Sequence, residues 1–312
     1  MGYKILKRGV SLLMALMVFT AFTLVATFDV NAASGDTRTV YLLTSQKTVR
    51  RYADGKKDTT IFKRTYDKNG LWKSHESSDR KMVAARNKKG YFTKIKSYDG
   101  NGKLLKTDTY KYTYNKKGLV KTEKMYTKEP GKKKVLSSTY KYTYYSNGNF
   151  KTASGKLDDA TTIDKYRKNG TRASETYESS GEFPIKQKRT FDKHGNEKKH
   201  VYDGYGYNGD GDGYRVKETD VHTTMSYDKN GNLEKDVYTN TYEAFEGEGP
   251  VVPEITKYTE TTVYTYDSHK NIKKSVTTRK VDPGDGEPYT ETITSTFKYK
   301  AVKQAKKYWN KY

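Results

Sequence analysis

Ring-bearing and polar residues alternate with a period of two along most of the chain. The clearest stretch occurs almost twice: residues 109–122 read TYKYTYNKKGLVKT, and residues 139–152 read TYKYTYYSNGNFKT. In a strand, successive side chains point to opposite faces. Tyr110, Tyr112 and Tyr114 therefore share one face, as do Tyr140, Tyr142 and Tyr144. Thr109, Lys111 and Thr113 share the other, matched by Thr139, Lys141 and Thr143. A helix would scatter these rings around its axis, and a run dominated by Tyr and Thr reads as strand.

Between strands the sequence is equally regular. TYDKNGL at residues 65–71 and SYDKNGNL at residues 226–233 place Asp first and Gly fourth. Asp caps such a turn with its side chain and Gly takes the left-handed conformation, giving a type I turn with a glycine bulge. The glycine recurs at Gly70, Gly90, Gly102, Gly118, Gly148, Gly170, Gly195 and Gly231. A ninth copy, YTYDSHKNIKK at residues 264–274, lacks it, so His269 or Lys270 must accept positive φ there.

In order, residues 40–49 and 57–66 read as the first strands, residues 74–81 as a polar loop, and residues 289–299 as the last strand. Residues 301–312 are basic, with Val302, Ala305 and Trp309 at helical spacing, and read as a short capping helix or a frayed tail. Glu129-Pro130-Gly131-Lys132 connects strands at the end opposite the glycine turns. The expected fold is all-β: one curved antiparallel meander of repeated hairpins, roughly sixteen to twenty strands, left as an open spiral or a partly closed barrel-like sheet. Glycine turns are expected along one edge and longer variable loops along the other.

Composition adds export and charge. Residues 1–32 read as a signal peptide: Lys4, Lys7 and Arg8, an apolar stretch, then Val30-Asn31-Ala32. An uncleaved anchor is the alternative. Residues 33–312 form a single repeat domain. No second apolar run of helix length follows, and from this the expectation is that no membrane span remains once the leader is removed. There is no cysteine, hence no disulfide and no thiol catalysis. Aliphatic residues are sparse but tyrosines number 30, so cross-strand ring pairs must supply much of the packing.

Net charge is +23, and the leader takes only two units of that with it. A basic exported surface attracts polyanions, and its lysine bias favours a diffuse field over bidentate phosphate recognition. Cell-wall polyanions or polysaccharides are the expected partners, with no specific nucleic acid; the bland alternative is solubility and protection of sheet edges.

The pattern Tyr-Asp-x-x-Gly-Asn-Leu, best at residues 227–233, resembles the YD repeats of bacterial Rhs-type proteins and teneurins. It recurs in part at residues 66–71 and 191–196. The resemblance implies successive hairpins in a spiralling sheet, often a hollow shell. The chain is short for a large shell, the spacing is irregular, and no toxin domain follows.

Two candidate sites emerge. The ladder Tyr110, Tyr112, Tyr114, Tyr140, Tyr142 and Tyr144 offers ring faces to sugars or cations, against a purely structural role in holding neighbouring strands. Asn208, Asp210 and Asp212 in NGDGDG resemble the opening of a calcium loop, but the closing acid falls at Thr219, with Glu218 one residue early. Ca²⁺ is thus the one cofactor suggested, against a flexible hairpin loop. His75, His194, His200, His222 and His269 show no metal-ligand spacing, and no catalytic constellation can be assembled. The expectation is a non-catalytic extracellular or wall-associated protein that binds anionic or carbohydrate envelope components through a basic, Tyr-rich sheet. The alternative is a secreted enzyme or inhibitor using the long Asp/Gly-rich loops.

Overall fold

The computed structural model describes residues 37–157, 159–180, 184–207, 213–245, 254–282 and 287–305. The signal-peptide segment and Asn208, Asp210 and Asp212 lie outside the described residues, as do most of the long Asp/Gly-rich loops.

Eighteen strands follow one another. The first nine are β1 (Thr37–Arg51), β2 (Lys57–Tyr66), β3 (Trp72–Glu76), β4 (Arg80–Arg86), β5 (Phe92–Asp99), β6 (Leu104–Tyr114), β7 (Val120–Lys128), β8 (Val135–Tyr144) and β9 (Phe150–Leu157). The second nine are β10 (Ala160–Tyr166), β11 (Arg172–Ser179), β12 (Lys186–Phe191), β13 (Glu197–Tyr207), β14 (Gly213–Tyr227), β15 (Leu233–Phe245), β16 (Glu254–Tyr266), β17 (Ile272–Asp282) and β18 (Tyr289–Ala305). Each pairs antiparallel with the next, and β18 returns to pair with β1, so the meander closes into a barrel. The closing ladder runs from Thr37 opposite Ala305 to Arg51 opposite Thr292, with a bulge between Leu43 and Ser45. Closure settles the choice left open above: the wall is neither a spiral nor an open sheet.

Hairpin chemistry explains the meander. Asp67 Oδ1 accepts the N–H of Asn69 at 2.8 Å and of Leu71 at 2.9 Å, while the Gly70 N–H donates to the Asp67 carbonyl at 3.0 Å. Asn87, Asp99, Asn115, Asp192, Asp228 and Asp267 repeat the Asx contact to the residue two positions on. A register shift sits immediately before each of these turns, as at Thr65/Tyr66 and Thr265/Tyr266. That is the expected glycine-bulge hairpin. In the ninth copy Lys270 takes φ 64°, the only positive φ at a non-glycine among the described residues.

Three sequence expectations are corrected. Residues 74–81 are not a loop: β3 ends and β4 begins inside them, joined by a tight turn in which Ser77 Oγ donates to Asp79 Oδ1. The last strand does not stop at residue 299 but runs to Ala305, because residues 301–305 pair with β1 instead of forming a helix. Glycine turns do not all share one rim. Strand alternation puts Gly102, between β5 and β6, at the rim opposite Gly70, Gly90 and Gly118.

The pleat gives the wall two unlike faces. Side chains converge on the concave side of a closed sheet and hide one another, so the more buried alternate set faces inward. Along β6 that set holds Asp108, Tyr110, Tyr112 and Tyr114, and along β14 it holds Val216, Glu218, Asp220 and His222. Inward residues are chiefly polar. Among the described residues, the buried set includes Leu42, Val120 and Val216 but also His75, Asp108, Glu218, Asp220, Asn240, Glu260, Arg279 and Glu291. The chain lacks the aliphatic residues for a solid core, and a barrel of about this strand number leaves a lumen open to water.

Candidate functional site

On the outer face, lysine and threonine alternate from strand to strand. Lys47, Lys96, Lys111, Lys141, Lys188 and Lys274 are all exposed. Their cross-strand neighbours are mostly neutral: Lys96 lies opposite Thr107, Lys188 opposite Val201 and Thr176, Lys274 opposite Thr265 and Thr296. Lys111 lies directly opposite Lys124. Like charges in that position are destabilising, so the fold tolerates positive density here instead of neutralising it. Outward hydroxyls pair across strands, Thr113 with Thr122 and Thr143 with Thr152, each at 2.6 Å. Tyr126, on the same outward alternate set as Thr122 and Lys124, has Lys134 at 5.0 Å and Lys111 at 5.5 Å from its ring centre.

The inner face differs. Its cations are largely arginines, and they are held by acids: Arg279 by Glu260, Arg50 by Glu291, and Arg172 by Glu175 at 2.9 Å. A planar fork is suited to such buried pairing in a way that a lysine ammonium is not. His222 Nδ1 lies 2.9 Å from both Asp236 oxygens, and His200 Nδ1 lies 3.2 Å from Asp220 Oδ2. Burial acts to lower the His222 pKa, but Asp236 outweighs it and the net shift is upward. His75, stacked on Phe62 at 5.5 Å, is pushed down by burial and by Arg64.

The six tyrosines singled out from the sequence all lie on the inward face. Tyr110, Tyr112, Tyr140 and Tyr142 are half-buried and have pKa values raised first by desolvation. Their rings meet neighbouring rings: Tyr91–Tyr112 at 5.3 Å, Tyr140–Tyr142 at 6.3 Å, Tyr142–Phe150 at 5.5 Å. Tyr144 also donates its hydroxyl to the Val120 carbonyl at 2.7 Å. Along β6 and β8 the basic and the ring-bearing sets are therefore on opposite faces. The pleat sends the lysines out and the rings in.

Sequence reading missed two features. Gly155 is not a turn glycine. It lies mid-strand opposite Tyr140, whose ring covers it so closely that an added Cβ would come within 2.5 Å of that ring. An isolated glycine in a strand pattern was the available signal. The histidines looked scattered, yet register places His200, Asp220 and Asn240 side by side on three strands. Among the described residues, no group of three or more His, Asp or Glu has metal-holding geometry.

The expectation that no membrane span follows the leader is overturned. It rested on the lack of a second apolar run, a criterion that concerns helices. Among the described residues no helix is long and apolar enough to cross a membrane, which says nothing of strands. The chain closes an 18-stranded barrel, and closed barrels are one of the two architectures that satisfy every backbone group inside a bilayer.

No protein-family description and no curated protein matches the sequence. Solved structures that resemble it include a porin-like protein from Bacteroides uniformis ATCC 8492, with TM-score 0.32 and 11% identity over 82% of this chain and 98% of that one. Another is the low-pH structure of Pseudomonas putida OprB, with TM-score 0.33 and 9% identity over 83% and 92%. At that level of similarity no function is transferred.

Proposed function

We propose that this chain is an exported, non-catalytic barrel of the cell envelope that binds anionic polymers or anionic lipid headgroups through its outer face. The observation that carries the reading is the array of exposed lysines whose cross-strand neighbours are threonine, serine, valine or another lysine, as at Lys111 and Lys124. Such a surface gives a diffuse attraction that decays within a Debye length, about 10 Å at 0.1 M salt. Kinship with YD-repeat proteins belongs to the same proposal, supported by the Tyr-Asp-x-x-Gly turns and their bulges. The test is co-sedimentation of the purified chain with cell walls and with phosphatidylglycerol vesicles across a salt series. Binding should fall steeply with salt, and Lys111→Glu with Lys124→Glu and Lys141→Glu should weaken it. Binding indifferent to both would overturn the reading.

A second reading, a membrane pore, is favoured by the closed wall and its polar inner face. Outward lysines bear on it: each costs about 2–4 kcal/mol at a bilayer midplane and about 0–1 near the interfaces. Stepwise conductance across a planar bilayer would establish the pore.

A further inference from the structure

Among the described residues, the inner face of β13–β18 holds five buried acids: Glu218, Asp220, Asp236, Glu260 and Glu291. Four have a cationic or imidazole partner: Arg279 on Glu260, Arg50 on Glu291, His222 on Asp236 and His200 on Asp220. Glu218 has no ion-pair partner among the described residues. Its hydrogen-bond partner is Asn240, which is fully buried and donates one amide hydrogen to Glu218 Oε1 and the other to Asp220 Oδ1, both at 2.7 Å. Those two bonds fix the amide, since the reversed orientation would set its oxygen against two carboxylates. Asn240 Oδ1 is then left buried without a hydrogen bond, and so is His200 Nε2. Unsatisfied buried polar atoms are rare, and two in one patch call for an explanation.

The patch offers acceptors: two carboxylates, a carboxamide oxygen and, when His200 carries its proton toward Asp220, an imidazole nitrogen. A guest that complements it carries positive charge and donates without accepting, which describes an ammonium group. Tyr258 lies directly across from Asn240, and its ring already has Arg279 at 4.7 Å from the centroid, so ring and acids together suit an organic cation. We infer that Glu218, Asp220 and Asn240, backed by Tyr258, form a lumenal binding site for a primary organic ammonium ion of the polyamine type. The site is independent of the outer face, and a chain of charge +23 repels free polycations elsewhere. Saturable uptake of one is therefore a specific signal.

The test is isothermal titration of the full chain with spermidine in low salt. Saturable binding is expected, weakened at least tenfold by Glu218→Gln and unchanged by Glu178→Gln on the outer face. Equal affinity in Glu218→Gln, or no saturable heat with the wild-type chain, overturns the inference. Should Glu218→Gln lose its near-UV circular dichroism, the wild-type chain decides alone. Spermidine must bind and its fully acetylated, uncharged analogue must not, and equal heats from the two overturn the inference. Pelleting with anionic vesicles is read separately and addresses only the outer face.

Discussion

The stretch β6–β9 and the stretch β13–β18 solve one problem differently. Both must fill the inner face of a wall with few aliphatic residues. The first does it with rings, stacking Tyr112 on Tyr91 and Tyr142 between Tyr140 and Phe150. The second does it with charge, seating Glu260 on Arg279 and joining Glu218 to Asp220 through Asn240. Strand length separates them too: β9 has 8 residues, whereas β14 has 15 and β18 has 17. Ring packing tolerates loss of one partner because each ring touches several. A charge network does not, because each group depends on a particular neighbour.

The sharpest way to break the comparison is to remove one guanidinium. Arg279→Ala strands Glu260 in a buried site and should cost about 3–5 kcal/mol in denaturant unfolding, whereas Arg279→Met with Glu260→Leu should be close to neutral. In the aromatic stretch, Tyr142→Ala should cost about 2 kcal/mol by the same measurement, and Tyr142→Phe much less, since among the described residues its hydroxyl makes no hydrogen bond. If both stretches responded equally, the contrast would fail.

A subtler difference is in pH response. Burial, then the neighbouring Asp220, pushes the Glu218 carboxyl up to about 7 from its ordinary 4.5. The folded state thus holds this proton more tightly than the unfolded one. The stability it contributes is present below about pH 4.5 and is lost as pH rises through about 7. Glu218→Gln should therefore raise the melting temperature by ~5 °C at pH 8 and leave it unchanged at pH 4. The smallest effect is local: Lys270→Gly relieves a left-handed lysine and should stabilise by about 1 kcal/mol.

How much could be read beforehand follows the range of each interaction. The placement of Tyr110, Tyr112 and Tyr114 on one face, the Asx turns and the strain at residue 270 are set within a few residues and are legible in the sequence, whereas which face turns inward is not. The pairing of Thr48 with Ser295 across the closing seam has no local signature, so closure stayed open between spiral and barrel. The His200–Asp220–Asn240 row needs the register of two hairpins at once, and the connection between β13 and β14 reads only as a loop. Residues 301–305 carry a helical spacing that pairing with β1 overrides.

The seam between first and last strand also sets an order of assembly. Most of the wall zips locally, each hairpin onto its predecessor, but Thr48 must wait for Ser295, 247 positions further along the chain, to be synthesised and gathered. Ring closure of that span is entropically slow, and until it happens two raw strand edges stay open to other molecules. A chain cut short before residue 289 would keep those edges permanently. Its fate would be intermolecular clumping, so the last seventeen-residue strand acts as the clasp that ends the molecule's adhesive youth.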